Sequence, residues 1–258
     1  MQRIATVNYH VHKPYRQAFE LDASGILGNL ISPELAPTEV PLTDVRESEE
    51  SVSFDQDGVQ FANQPSEITD FEAEDWKDVY DTEVKGLLQQ TLGVRDVIVF
   101  DHTVRTDDPD APRKPARNVH SDYSADGARN RLTELLGAEQ AEEWAAGHYA
   151  FVNIWRPVNE PINSAPLGFV RPASVDPSDW ILLDLIYPDR KGQIMGLVGN
   201  DQHKWIYKSR MTPDEVVMFN IFDSSGQPSV AHSALDMVED PHVTTTRKSV
   251  ESRTLVRY

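Results

Sequence analysis

The chain has 258 residues, with 42 Asp and Glu against 24 Lys and Arg, giving a formal net charge of −18 at pH 7. That length is ample for a packed core, and 39% apolar content with 9% aromatics marks a globular chain and excludes disorder throughout. The acidity excludes a broad basic face for DNA, RNA or an anionic membrane, and the absence of cysteine excludes disulfides, thiolate catalysis, iron–sulfur clusters and Cys-rich zinc sites.

In chain order, Met1 to His10 lack the basic start and apolar run of a signal peptide. No apolar run reaches membrane-spanning length, and the best candidate, Trp180 to Tyr187, is interrupted by Asp184. The expectation is a soluble, cytoplasmic protein without nucleic-acid or membrane partners. Short extended pieces are predicted at Ile4–Asn8, Ser51–Phe54 and Val59–Phe61, and the acidic run from Glu47 to Glu50 reads as a solvated loop. A helix follows, capped by Thr69 or Asp70, with Trp76, Tyr80, Val84, Leu87, Leu88 and Leu92 as its core stripe and Gly93 as its stop.

From Asp96 the texture changes. Asp96–Val104 is a β-branched strand, Asp107–Pro115 a Pro- and charge-rich loop, Asn118–Tyr123 a short extended stretch, and one or two helices span about Asp126 to Ala146. Strands are then predicted at His148–Arg156, Trp180–Tyr187, Gln193–Val198, His203–Ser209, Glu215–Phe222 and Lys248–Tyr258, with Pro- and Gly-rich breakers between them. Many short strands with turn signals predict a mainly β sandwich or barrel with helices, not a βαβ array. Residues 1–95 read as an N-terminal α/β extension with a supporting helix, and residues 96–258 as the β core of the same single domain.

Three groups of residues could carry chemistry. In an extended strand His120 and Asp122 point to one face, so imidazole and carboxylate can converge. Alone, that pair is equally a surface hydrogen bond. A further histidine, His232, follows the strand Glu215–Phe222 and the turn after it. Two His and one carboxylate on one side of a metal leave three positions open, which suits a non-haem Fe(II) oxygenase; the competing reading of His232 is a partly buried loop histidine. Arg247 and Ser249 also share a strand face, a fork and a hydroxyl fitted to a carboxylate, against the alternative of a cross-strand ion pair with Glu251. Asn153 and Trp155 share a face and can line a pocket or simply pack. Arg253, in phase with Arg247, is the second choice of anchor, and His102 and His203 read as structural.

The order His-x-Asp, His, Arg-x-Ser resembles the iron(II)- and 2-oxoglutarate-dependent oxygenases. More narrowly, the chain is similar to the asaB/CmcJ/NvfI family of hydroxylases, desaturases and related oxidases of microbial secondary metabolism. The resemblance rests on Val79–Leu88, Val99–Arg105, Arg117–Ser124, Asn153–Pro157, Pro188–Gly192, His203–Tyr207, Met211–Ser224, Ala231–Ala234 and Arg247–Tyr258. It therefore covers the chain well from about Val79 onward and only loosely before. Relatives often carry Lys at the position of Asn220 and Pro at that of Ala231, and Pro166–Ser174 departs from their pattern.

The resemblance implies a double-stranded β-helix, or jelly roll. It implies His120, Asp122 and His232 as ligands of Fe(II), and Arg247, assisted by Ser249, as the anchor for the distal carboxylate of 2-oxoglutarate. O2 would be the oxidant, and a small molecule would be hydroxylated, desaturated or cyclised with release of succinate and CO2. A homodimer is the default expectation for a soluble enzyme. The rival readings are a non-catalytic jelly-roll accessory protein and a redox-neutral metal-dependent isomerase.

Overall fold

The computed structural model describes residues 3–21, 27–31, 34–189 and 191–258; Arg190, within the Pro188–Gly192 stretch, lies outside them. The chain begins with β1 (Arg3–His10), β2 (Gln17–Leu21), β3 (Leu27–Ile31) and β4 (Leu35–Asp44), followed by a one-turn helix α1 (Phe54–Asp57) and β5 (Val59–Asn63). Next come α2 (Trp76–Leu92), β6 (Asp96–Thr106), β7 (His120–Ser121), α3 (Ala125–Leu136) and α4 (Ala138–Ala145). Then follow β8 (Tyr149–Pro157), β9 (Leu167–Val170), β10 (Trp180–Ile186) and β11 (Lys191–Leu197). The last strands are β12 (Trp205–Tyr207), β13 (Glu215–Asp223), β14 (His232–Ala234) and β15 (Lys248–Arg257).

These strands make two sheets of a jelly roll. One has the order β1-β4-β12-β9-β14-β7-β11-β10-β2-β3, the other β5-β13-β8-β15-β6. Strand β8 is buried along its whole length because each face has its own core. Phe151 and Trp155 join Phe169, Val217, Phe219, Ile221 and Leu255 between the sheets, while Ala150, Val152 and Ile154 join the α2 residues Tyr80, Val84 and Leu88 behind the smaller sheet. That is the period-2 alternation of a pleated strand with an apolar layer on both sides.

Helix α2 starts later than its acidic first turn predicts. Asp70 accepts the Glu72 N–H at 2.8 Å in a turn, and Phe71 folds back onto Trp76 and Tyr80, with ring centroids 5.0 and 5.1 Å away. Gly93 ends the helix as expected, at a left-handed φ of 68°. Ser51–Phe54 is not a strand: Ser53 caps α1 by accepting the Gln56 N–H. The largest difference is β4, whose Pro37 and Pro41 conceal a strand. Both face β1 in the register, whereas β12 pairs only with Leu42, Thr43 and Asp44. The prolines thus lie where β4 has a partner on one side only, the position at which a missing N–H is tolerated. Through β4 the N-terminal strands join the sheet that carries β7 and β14. Among the described residues no helix is long and apolar enough to cross a membrane.

Candidate metal centre

His120 and His232 are directly opposed residues of the antiparallel pair β7–β14, so their side chains leave the same face of the sheet. Their ring centroids are 4.5 Å apart. Asp122 follows two residues after His120, and one ligand atom from each of the three residues lies within 4.8 Å of the others. Both imidazoles are held the same way. His120 Nδ1 donates to the Asn118 carbonyl at 2.8 Å and His232 Nδ1 to the Val230 carbonyl at 3.2 Å. A carbonyl only accepts, so the proton is assigned to Nδ1 and Nε2 keeps its lone pair.

Asp122 is oriented with equal care. Its Oδ2 accepts from Asn153 Nδ2 at 2.8 Å and from Arg253 Nε at 3.2 Å, leaving Oδ1 3.6 Å from His120 Nε2. Burial opposes its ionisation, but the Arg253 guanidinium, with the two histidines, outweighs burial and holds the carboxyl well below the usual range. Arg253 is in turn engaged by Asp101 at 2.6 Å, Thr103 at 3.2 Å and Glu251 at 2.5 Å. Two nitrogens and one oxygen on one side of a point fit a ferrous ion and leave coordination positions open. Asn153→Ala should therefore weaken metal binding roughly 10–100-fold, as loss of an outer-shell partner does. A competition titration with a metal-responsive dye measures this, and an unchanged affinity would show that Arg253 alone suffices to hold Asp122.

Close packing behind the site is equally specific. Gly196 pairs with His120 across β11–β7, and a Cβ there would stand 2.7 Å from His10 Cδ2 and 2.8 Å from Leu183. Asn220, buried in β13, donates to the Gln227 and Pro228 carbonyls at 3.2 and 3.0 Å, which fixes the turn leading into β14. Burial, with His120 adding repulsion, pulls both His10 and His232 down to about 4. Unfolded, each would titrate near 6.5 and bind a proton that the folded state refuses. Metal-free protein should therefore lose stability as pH falls from about 6.5 toward 4, by a few kcal/mol, less than additively because both interact with His120. Urea unfolding in chelator at pH 7 and pH 5 reads it; equal midpoints would contradict neutral burial of these rings.

Arg247 is almost fully buried. Its Nη1 donates to the carbonyl of Ala165, a residue at a left-handed φ of 45°, and its Nη2 reaches Ser249 Oγ at 3.4 Å. The guanidinium lies 5.2 Å from the Trp155 ring centroid. Burial and the neighbouring Arg105 pull it down to about 9. Among the described residues it has no carboxylate within ion-pair distance, and Arg247 Nε and Trp155 Nε1 are buried without a hydrogen-bond partner. Glu251 pairs with Arg253 instead. A desolvated cation with unpaired donors beside it fits a bound carboxylate.

A cavity of about 1770 Å³ opens onto His120, Asp122 and Arg253. Arg247 and Ser249 are not part of its lining, whereas Arg105, unremarked by its spacing in the sequence, is. His102 and His203 serve elsewhere: His102 bridges Ser252 and Asp81 at 2.8 Å each, and His203 bridges Tyr9 at 2.9 Å and Asp179 at 3.1 Å.

The family YDMC, described as an oxidoreductase/YMDC permease-like domain, matches residues 7–257. The hydroxylase/desaturase efuI of Hormonema carpetanum is 30% identical over 247 residues, covering 84% of this chain and 82% of that protein. The Fe(II)/2-oxoglutarate-dependent dioxygenase nvfI of Aspergillus novofumigatus is 28% identical over 232 residues, covering 85% and 83%. A solved structure of the iron and alpha-ketoglutarate-dependent endoperoxidase NvfI superposes with a TM-score of 0.89 at 23% identity, covering 99% of this chain and 98% of that one, and shares the fold.

Proposed function

The chain belongs to the asaB/CmcJ/NvfI-like family of non-haem Fe(II)/2-oxoglutarate-dependent oxygenases, and from that premise we infer that it hydroxylates, desaturates or cyclises a small molecule. The observation that carries the reading is the convergence of His120, Asp122 and His232 with both Nδ1 atoms already engaged by carbonyls. These three would hold the iron through the two Nε2 atoms and Asp122 Oδ1. When bound, Fe(II) with 2-oxoglutarate and O2 supplies oxidative decarboxylation to succinate and CO2 and the oxidising power to remove hydrogen from a substrate carbon.

The protein's part is positional. Asn153 and Arg253 fix the Asp122 carboxylate, and the two carbonyls fix the rings, so the ligand atoms need no reorganisation. Arg247, with Ser249 beside it, would pair with the distal carboxylate of 2-oxoglutarate. Apolar rings border both groups: Phe219 packs against His232 and Trp155 against Arg247.

The test is succinate release from 2-oxoglutarate in air, with and without Fe(II). Succinate that requires both iron and O2 supports the oxygenase. A protein that binds iron yet forms no succinate above the no-enzyme background, across a broad substrate screen, would favour a redox-neutral or accessory role.

A further inference from the structure

An acidic protein has built a basic cavity. Although the chain carries −18, the residues lining the cavity before His120 and Asp122 include nine Lys and Arg against five Asp and Glu. Four of these are paired: Arg16 with Asp184, Arg131 with Glu134, Arg117 with Asp107, and Arg253 with Asp101, Asp122 and Glu251. Lys114, Arg129 and Lys191 are exposed, and among the described residues none of the three has an ion-pair partner. Deeper lies Arg105, half-buried on β6 opposite Ser249. One Arg105 N–H donates to the Lys114 carbonyl at 2.9 Å, and no carboxylate stands within ion-pair distance among the described residues. Arg105 shares its face of β6 with Thr103 and Asp101, the residues that hold Arg253, and it lines the same cavity as His120 and Asp122. Burial draws its guanidinium below the ordinary range.

A half-desolvated cation without a counter-charge is unfavourable until an anion enters, and a cleft of one sign concentrates the opposite sign. Phe19, Phe100 and Tyr123 supply apolar wall in the same cavity. The exterior charge disfavours a polyanion, so the visitor is small. Resting on the oxygenase reading, we propose that the molecule oxidised here is a carboxylic acid with an apolar body, its carboxylate paired to Arg105 and guided inward by Lys114, Arg129 and Lys191. Arg247 keeps the cosubstrate, and Arg105 takes the substrate.

The test uses proton relaxation by Mn(II) bound in place of iron, with 2-oxoglutarate present and no O2 chemistry involved. The probes are cinnamate and its neutral counterpart cinnamamide, and weak binding suffices. Cinnamate protons should relax faster than those of cinnamamide, and Arg105→Gln should weaken the cinnamate effect roughly tenfold, as expected for loss of a charged hydrogen-bonded pair. Replacing exposed Lys114, Arg129 and Lys191 together by Gln should weaken it by about two- to threefold, with the fold untouched. Equal relaxation of the two probes, or a cinnamate effect that survives Arg105→Gln, would overturn the proposal. So would an Arg105→Gln protein that loses 2-oxoglutarate but keeps cinnamate, since Arg105 would then serve the cosubstrate. The relaxation of 2-oxoglutarate itself reports separately on the metal site: if Mn(II) leaves it untouched in the unaltered protein, the oxygenase reading is what has failed.

Discussion

His232→Ala should reduce succinate formation to the background seen without enzyme. On the proposed metal centre it removes one of three ligand atoms, and the loss should exceed the roughly 10–100-fold that follows removal of an outer partner. The remaining pair, His120 and Asp122, comes from one short segment and closes only part of a coordination sphere. The substituted position lies against Phe219, whose ring centroid is 4.8 Å from that of His232, so alanine leaves an apolar gap without breaking β14. A second readout separates ligand loss from misfolding. Because burial and His120 pull His232 down to about 4, the ring stays neutral at pH 5, where the unfolded chain binds its proton, and the metal-free variant should tolerate pH 5 better than the unaltered protein. Undiminished succinate release in His232→Ala, with normal folding, would remove this residue from the metal.

Arg247→Ala should act on the cosubstrate. Truncating one partner of a buried, hydrogen-bonded charge pair costs about 2–5 kcal/mol, so the KM for 2-oxoglutarate should rise at least ~30-fold. Turnover at saturating 2-oxoglutarate should fall far less, because the pair lies at the unreactive end of the molecule. Arg247→Lys keeps the charge but not the planar fork, and it should land between the two. The measurement is succinate formation against 2-oxoglutarate concentration. An unchanged KM in Arg247→Ala would move the anchor to another residue around the metal centre. Arg253 is poorly placed to take over, since its nitrogens already reach Asp122, Asp101, Thr103 and Glu251.

The legible parts of the molecule were those where residue type states its own geometry. The long strands β6, β8, β13 and β15 announce themselves by runs rich in β-branched and aromatic residues between turn signals, and the two-residue spacing of His120 and Asp122 already implies a shared face. What the sequence did not reveal was held by contacts from far along the chain. β14 is three residues long and exists because His232 finds His120 and Phe169 as partners. β4 hides behind two prolines that only the one-sided pairing of the sheet makes tolerable. The carbonyls of Asn118, Val230 and Ala165 have no side-chain signature at all, yet they set both histidine tautomers and engage Arg247. Arg105 was one arginine of many until the cavity showed it without an opposing carboxylate. Arg253 read as a spare anchor, and its position two strand steps from Ser249 gave no hint that four other groups would compete for it.

Two imidazoles and one carboxylate on a single ferrous ion would leave room for a chelating keto acid. Anaerobic titration with Fe(II) followed by 2-oxoglutarate tests it most directly. A visible charge-transfer band should appear, saturate at one iron per chain and vanish in His232→Ala. Iron that binds at that ratio without the band appearing on addition of 2-oxoglutarate would contradict it.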